Sequence, residues 1–137
     1  MTSRIPFLLR WNDNDQYGHL NNTVYYEAMD TAVNTWMMRH CGLDPAGDVI
    51  GLVRASSCEY LAPASFPDEL EVDIAVARLG TTSVTWDLAI LRAGTGRDDA
   101  LALGRFTHVF VDAAARRPVP VPGRVRGAIE ARLRLGG

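Results

Sequence analysis

The chain has 137 residues, 47% of them hydrophobic and 22% charged, which is typical of a globular protein and leads us to expect a single domain over residues 1–137. Its 14 basic and 16 acidic residues give a formal net charge of −2, so no strong basic surface for nucleic acid is expected. The two cysteines, Cys41 and Cys58, lack a zinc-binding spacing, and no stretch reaches the ~20 apolar residues of a membrane span. We therefore expect a cytoplasmic protein without a metal, a cofactor, or a membrane or nucleic-acid partner.

The first third of the chain predicts a strand, a loop and a long helix. Apolar residues over 4–11 favour a strand, and Pro6 indicates that it lies at a sheet edge. The Asn-, Asp- and Gly-rich segment that follows is typical of a loop. A helix is expected over residues 23–41, with Gly42 ending it. Apolar residues cover most of the helix circumference, which predicts a helix buried on nearly all sides.

Four more strands are predicted in the remainder of the chain. Two of them alternate apolar and polar residues, which indicates half-exposed strands joined by a short hairpin. The elements predicted after the helix are strands over 50–61, 69–76, 83–92 and 101–111, a hairpin connection over 80–82, a turn over 94–99 and a short terminal helix over 124–135. This order predicts an α+β fold with one antiparallel sheet of about five strands wrapped around one long central helix.

The segment between the first strand and the helix carries the residues best suited to chemistry. Residues 13–22 hold two carboxylates, a glycine, a histidine and several asparagines directly ahead of the helix. Unpaired amides at a helix N-terminus can hold a carbonyl oxygen, and a nearby carboxylate can act as base or nucleophile. That arrangement suits acyl transfer and needs no metal. The same residue types are also typical of turns and helix caps, so composition alone leaves both interpretations open.

Four segments resemble one known family. The segment RWNDNDQYGHLNNTVY, residues 10–25, resembles the signature of the 4-hydroxybenzoyl-CoA thioesterase family, a branch of the hotdog superfamily. FPDELEV at 66–72, RLGTTS at 78–83 and GRFTHVFVD at 104–112 resemble later parts of that family. The resemblance implies a hotdog fold, in which the sheet wraps around the helix. It also implies a homo-oligomer, a dimer or a tetramer of hotdog dimers, with active sites at the subunit boundary.

The resemblance also implies roles for individual residues. Asp15, the second aspartate of the D-x-D-x-x-G pattern, is the expected catalytic carboxylate, acting on an acyl- or aroyl-CoA as nucleophile or general base. Gly18 would allow close approach of the substrate, and His19 and Asn22 would shape the loop or position water. Backbone amides near residues 21–23 would polarise the thioester carbonyl. The expected substrate-binding residues are Asn21, Thr23, Tyr25, Tyr26, Arg78, Gly80, Thr81, Thr82 and Ser83.

Other interpretations of these residues remain open. The two adjacent tyrosines suit a core as well as an acyl pocket, residues 78–83 also suit a plain hairpin, and Asp13 is expected to fix the loop rather than react. A hotdog dehydratase would place Asp and His five residues apart in one of its known patterns, whereas His19 lies six residues from Asp13 and four from Asp15. A non-catalytic acyl-CoA binding module and a thioesterase for acyl carrier protein are the remaining alternatives.

Overall fold

The computed structural model describes residues 2–133, which form a five-stranded antiparallel sheet and two helices. The elements are β1 Ser3–Phe7, α1 Asn22–Cys41, β2 Val49–Tyr60, β3 Leu70–Leu79, β4 Ser83–Arg92, β5 Ala102–Asp112 and α2 Gly123–Arg132, with 3-10 turns at Trp11–Asp13 and Arg97–Asp99. The strands lie in the order β1-β3-β4-β5-β2, so β1 and β2 are the edges of the sheet. The α+β prediction is confirmed, with a hotdog-like order of elements.

Helix α1 has both of its predicted end signals. The Asn21 side chain accepts a hydrogen bond from the Thr23 amide at 3.0 Å and so caps the first turn. Gly42 ends the helix in the left-handed conformation, with a φ of 64° that glycine adopts without steric cost. Burial is confined to one side, because Asp30 and Met38 are exposed on the other. The prediction of a helix buried on nearly all sides is therefore wrong for the described part of the single chain, where the sheet, α2 and the loops beside them cover one side of it.

The buried side of α1 packs on the inner face of the sheet, where alternate residues of the central strands point inward. Trp36 of α1 and Trp86 of β4 are fully buried and meet edge to face, with ring centroids 5.8 Å apart. Gly104 of β5 lies directly against Met29: a methyl group at this glycine would overlap Met29 Sδ and approach the Ser57 carbonyl oxygen to 3.1 Å. The absence of a side chain at Gly104 is what lets α1 sit this close to the sheet.

The outer face of the sheet is less exposed than the alternation in β3 predicted. Asp73 is only 2% exposed, because the 94–99 turn folds back over this face. Arg97 Nε donates to Asp73 Oδ2 at 2.6 Å, and Arg97 Nη1 donates to Asp87 Oδ1 at 3.2 Å. Arg4 Nε lies 3.4 Å from Asp73 Oδ1. Pairing with two guanidinium groups offsets the cost of removing the Asp73 charge from water.

The two ends of the chain differ from their predicted bounds. β1 ends at Phe7, earlier than predicted, because Phe7 pairs with Leu70, the first residue of its only partner strand. β1 is an edge strand, as Pro6 indicated. The terminal helix spans Gly123–Arg132, and its predicted end at Leu135 lies outside the described residues. Within residues 2–133, no helix has the length and apolar content needed to cross a membrane.

Strand direction places the two predicted binding segments at opposite ends of the sheet. α1 begins beside the end of β2, where Tyr60 Oη donates to the Asn22 carbonyl oxygen at 3.4 Å. The β3–β4 hairpin lies at the other end, where the Thr82 carbonyl oxygen accepts a hydrogen bond from the Phe110 amide at 2.9 Å. β3 spans ten residues between these ends. At ~3.3 Å per residue, that length corresponds to about 30 Å.

His108 of β5 is packed in the core. It is only 1% exposed, and its Nδ1 accepts a hydrogen bond from Trp86 Nε1 at 2.9 Å. Burial lowers the pKa of His108, and the negative charge of Asp30 opposes that shift. The imidazole is therefore neutral in the folded protein near neutral pH.

The free energy of unfolding is expected to decrease as the pH falls below about 6.5, the ordinary pKa of histidine in an unfolded chain. In that range the unfolded chain takes up a proton at His108, whereas the folded chain does so only at a lower pH, so protonation favours unfolding. Urea unfolding at about pH 5.5 and about pH 7.5 measures the difference. His108→Gln is the control, because its amide oxygen can still accept from Trp86. The same pH dependence in wild type and His108→Gln would contradict the prediction.

Candidate active site

Residues 14–20 form a tight loop whose ends pair with each other. Asn14 and Leu20 form an antiparallel bridge, and within it the Asp15 amide donates to the His19 carbonyl oxygen at 2.9 Å. The Gly18 amide donates to the Asp15 carbonyl oxygen at 3.1 Å. Gly18 has a φ of 79°, a conformation that favours glycine, so this turn explains the glycine at that position. The loop holds Asp15 shortly before the start of α1.

The Asp15 carboxylate is half-buried and is held from one side only. Its Oδ1 accepts a hydrogen bond from the Tyr17 amide at 2.9 Å, an Asx turn. No donor among residues 2–133 reaches its Oδ2. The second oxygen is therefore open to a substrate or a water molecule.

The start of α1 offers fewer free amides than the sequence implied. The Asn21 amide donates to the Asp13 carbonyl oxygen at 2.8 Å, and the Thr23 amide donates to Asn21 Oδ1 at 3.0 Å. The Val24 amide donates to the Asn21 carbonyl oxygen at 2.9 Å. Of the three amides over residues 21–23, only that of Asn22 has no acceptor within the described part of the chain. This N–H is the one left for a substrate oxygen.

Asp13 has the structural role expected of it. Its carboxylate is 2% exposed and accepts hydrogen bonds from the Arg10 backbone amide at 2.7 Å and from the Arg10 guanidinium at 2.9 and 3.2 Å. The carbonyl oxygen of Asp13 holds the Asn21 amide. With both oxygens engaged and buried, this carboxylate fixes the path of the loop into α1 and is not available to a substrate.

A cleft of about 270 Å³ opens beside the start of α1. It is lined by His19, Leu20, Asn22, Tyr25, Tyr60, Leu61, Ala62 and Pro63. The rings of Tyr25 and Tyr60 meet edge to face in its wall, with centroids 5.0 Å apart. Burial raises the pKa of Tyr25, and a hydrogen bond with the Ala64 backbone opposes that rise. The Tyr25 phenol therefore stays protonated at neutral pH. Tyr26 lies outside this wall, half-buried, with its ring centroid 6.0 Å from that of Phe106.

The hairpin residues predicted to bind substrate do not lie near this cleft within one chain. Arg78, Gly80, Thr81, Thr82 and Ser83 are at the far end of β3 and β4. The chain's own tail holds the hairpin there, through a Val121 amide to Thr81 carbonyl hydrogen bond of 2.9 Å. Within residues 2–133, no three His, Cys, Asp or Glu side chains are placed to hold a metal ion.

The sequence profile of the thioesterase-like superfamily matches residues 9–129, which includes the Asp15 loop, both helix starts and all of the sheet except β1. The chain belongs to the thioesterase-like superfamily. Membership confirms the family resemblance of the opening motif and the assignment as a thioester hydrolase. No curated protein sequence matches the chain.

Solved structures of similar proteins support the fold of this thioesterase-like chain. The PA5185 protein from Pseudomonas aeruginosa strain PAO1 is 46% identical, with a TM-score of 0.91 over 98% of this chain and 94% of that one. PA2801, described as a putative thioesterase from Pseudomonas aeruginosa, is 32% identical, with a TM-score of 0.81 over 93% and 96% of the two chains. Slr0204, a 1,4-dihydroxy-2-naphthoyl-CoA thioesterase from Synechocystis, shares the fold at 21% identity, with a TM-score of 0.81 over 94% and 96%.

Three residues around the Asp15 loop of this thioesterase-like chain were not predicted from the sequence. Tyr60 lines the cleft, and Asn14 and Ser65 hold the loop through a hydrogen bond of 3.0 Å between Asn14 Nδ2 and Ser65 Oγ. Asn14 stands between the two aspartates of the motif, where a turn-forming asparagine is common. No local signal marks Tyr60 or Ser65, because both reach the loop only through the fold.

Proposed function

We propose that the chain hydrolyses acyl- or aroyl-CoA thioesters to free acid and CoA, with Asp15 as its catalytic carboxylate. The observation that carries the proposal is a carboxylate with one unengaged oxygen, placed shortly before a helix whose first amide, that of Asn22, is also unengaged within the described residues. These groups supply the two requirements of acyl transfer, a base or nucleophile and a donor for the developing oxyanion. We expect one hotdog domain, because a single hydrophobic core includes residues from Ile5 to Leu133.

In the proposed reaction the thioester carbonyl oxygen accepts a hydrogen bond from the Asn22 amide. The N-terminus of α1 stabilises the negative charge that develops on that oxygen. Asp15 either attacks the carbonyl carbon, giving a mixed anhydride that water hydrolyses, or takes a proton from the water that attacks. The C–S bond breaks and CoA leaves as a thiolate. Since a free cysteine thiol has a pKa of about 8.5, a similar thiolate is a good leaving group and needs no strong general acid.

The remaining residues of the site have supporting roles in this proposal. Gly18 has open space where a Cβ would stand, which leaves room for the thioester. His19 and Asn22 line the cleft, where they would position water. Asn21 and Thr23 act by capping α1, since their amides are engaged. We assign Tyr25 to the acyl group, whose apolar part it would contact beside the helix start, whereas Tyr26 lies outside the cleft wall and would contact only a part of the acyl group that extends beyond it.

We propose that the working unit is a homo-oligomer assembled along β2. This strand has 12 residues and pairs only with β5, which leaves its other edge free within the described chain. Leu52 is 39% and Val53 46% exposed on it. A long apolar edge strand is a template for pairing with a second copy. In such an assembly residues 78–83 of the neighbouring subunit, Arg78, Gly80, Thr81, Thr82 and Ser83, would bind the CoA nucleotide through hydroxyl groups and backbone amides.

Val53→Glu is expected to weaken self-association by at least about tenfold, because it places a charge on a strand edge that assembly would remove from water. Thioester hydrolysis should fall with it, since the site would lose the neighbouring subunit. Light scattering across a concentration series gives the molar mass of the assembly. Val53→Thr, which keeps the branched shape without a charge, is the control. A Val53→Glu protein with wild-type mass and wild-type rate would contradict this assembly.

Mass spectrometry of the products formed from hexanoyl-CoA and from 4-hydroxybenzoyl-CoA tests the proposed reaction. Free acid and CoA in equal amounts are the expected result. Thermal stabilisation by these compounds without product would favour the acyl-CoA binding module instead. Hydrolysis of an acylated carrier protein, with both CoA esters left intact, would favour the carrier-protein thioesterase.

A further inference from the structure

The side chain of Asn14, which directly precedes Asp15, is engaged at both ends by one distant segment. Asn14 Nδ2 donates to Ser65 Oγ at 3.0 Å, and Asn14 Oδ1 accepts from the Phe66 amide at 2.9 Å. The backbone donor on Phe66 fixes which end of the Asn14 amide is oxygen. Both groups are half-buried. These two bonds tie the first residue of the 14–20 loop to a segment 51 residues further along the chain.

The same segment also holds the other side of the loop. Ser65 Oγ donates to the Gly18 carbonyl oxygen at 3.1 Å, so one hydroxyl accepts from the residue before Asp15 and donates to the turn after it. The Leu20 amide donates to the Ala64 carbonyl oxygen at 2.8 Å. Asp15 therefore lies between attachment points on both sides, and Ser65 joins two of them.

The segment that holds the loop is itself anchored to the sheet. The Ser65 amide donates to Asp68 Oδ2 at 3.0 Å, and Arg92 Nη2, at the end of β4, donates to the Pro63 carbonyl oxygen at 3.3 Å. Arg92 Nη2 also lies 3.5 Å from Asp68 Oδ2. The Asp15 loop is thus connected to β4 through a continuous set of hydrogen bonds.

We propose that Asn14 and Ser65 are positioning residues for Asp15, which set its carboxylate against the start of α1. This inference rests on the proposed function of Asp15. Acyl transfer requires the reacting atoms to be aligned, and a misplacement of 1 Å can cost about a hundredfold in rate. The side-chain polar atoms of both residues are engaged within the chain, so neither is expected to contribute to substrate affinity.

Ser65→Ala tests the inference, because it removes only the hydroxyl that joins Asn14 to Gly18. We expect kcat to fall by about ten- to a hundredfold with KM within about twofold of wild type. Ser65→Thr restores a hydroxyl and should recover most of the rate. Asn14→Ala should lower kcat by a similar factor, and Ser3→Ala, which removes a hydroxyl with no hydrogen bond among the described residues, should be unchanged. Rates are expressed per folded molecule, from thermal unfolding of each variant.

A Ser65→Ala enzyme with wild-type kcat would overturn the inference, as would a loss that Ser65→Thr does not recover or a change confined to KM. Asp15→Asn is measured beside these variants to separate this inference from the proposed function. If Asp15→Asn is inactive and Ser65→Ala is not impaired, only the positioning role fails. If Asp15→Asn retains the wild-type rate, the proposed function fails and the positioning role falls with it.

Discussion

Asp15→Asn is expected to lower kcat for thioester hydrolysis by about 10²- to 10⁴-fold while leaving the fold intact. The amide cannot serve as a general base and is a poor nucleophile, so both proposed mechanisms lose their essential group. Asparagine keeps the oxygen that accepts from the Tyr17 amide, so the Asx turn is preserved. Initial rates of thiol release, with circular dichroism and thermal unfolding of the same preparations, measure both effects.

Asp98→Asn is the matched control for this substitution, because Asp98 is an exposed carboxylate in the 94–99 turn, which lies on the face of the sheet opposite α1. It should leave kcat, KM and thermal stability unchanged. An Asp15→Asn enzyme with a rate near that of Asp98→Asn would show that Asp15 is not the catalytic carboxylate. A loss of folded structure in Asp15→Asn would contradict the expected independence of activity and fold.

Gly104→Ala is expected to lower the free energy of unfolding by about 1–3 kcal/mol, the usual cost of overpacking a core. The new methyl group would overlap Met29 Sδ and come within 3.1 Å of the Ser57 carbonyl oxygen. Met29 is fully buried, so its side chain cannot move into solvent. Either Met29 must take another rotamer within the core or α1 must move away from the sheet. Urea unfolding of wild type and variant measures the loss.

Two further variants test the cause of that loss. Gly127→Ala is the control, because this glycine lies in α2 with nothing within 4 Å of an added Cβ. This substitution should raise the free energy of unfolding by about 0.5–1 kcal/mol. Met29→Ala opens space beside Gly104. The double variant should therefore lose less free energy of unfolding than the sum of the losses in the two single variants. Additive effects, or a stable Gly104→Ala, would contradict a steric conflict with Met29.

The parts of the fold that sequence could predict are those with a local signal. Asn21 caps the first turn of α1 and Gly42 ends the helix, both as predicted. The β3–β4 hairpin could also be predicted from the sequence, because a short Gly-Thr-Thr connection separates two apolar strands. Alternation in β3 misled about Asp73, because its burial depends on Arg97, 24 residues later in the chain. No period-two pattern reveals such a distant partner.

The residues of the candidate site also divide into those with a local sequence signal and those that reach the site only through the fold. Asp15 and Gly18 belong to one short motif, and the loop they form is closed by hydrogen bonds within residues 15–19. Ser65 reaches the loop across 51 residues and Tyr60 reaches the helix start across 38, so their roles depend on the sheet. The distance between Asp15 and residues 78–83 follows from strand direction. A motif match could align the two segments with a family but could not place them at opposite ends of one chain.

Thiol release from a panel of CoA thioesters tests the central claim most directly. Acetyl-, hexanoyl-, palmitoyl-, phenylacetyl- and 4-hydroxybenzoyl-CoA are incubated with wild type and with Asp15→Asn, and free CoA is followed with a chromogenic disulfide. We predict saturable release by the wild type from at least one substrate, and almost none by the variant. No release from any substrate, together with thermal stabilisation by the same compounds, would contradict the claim that this chain is an acyl-CoA thioesterase.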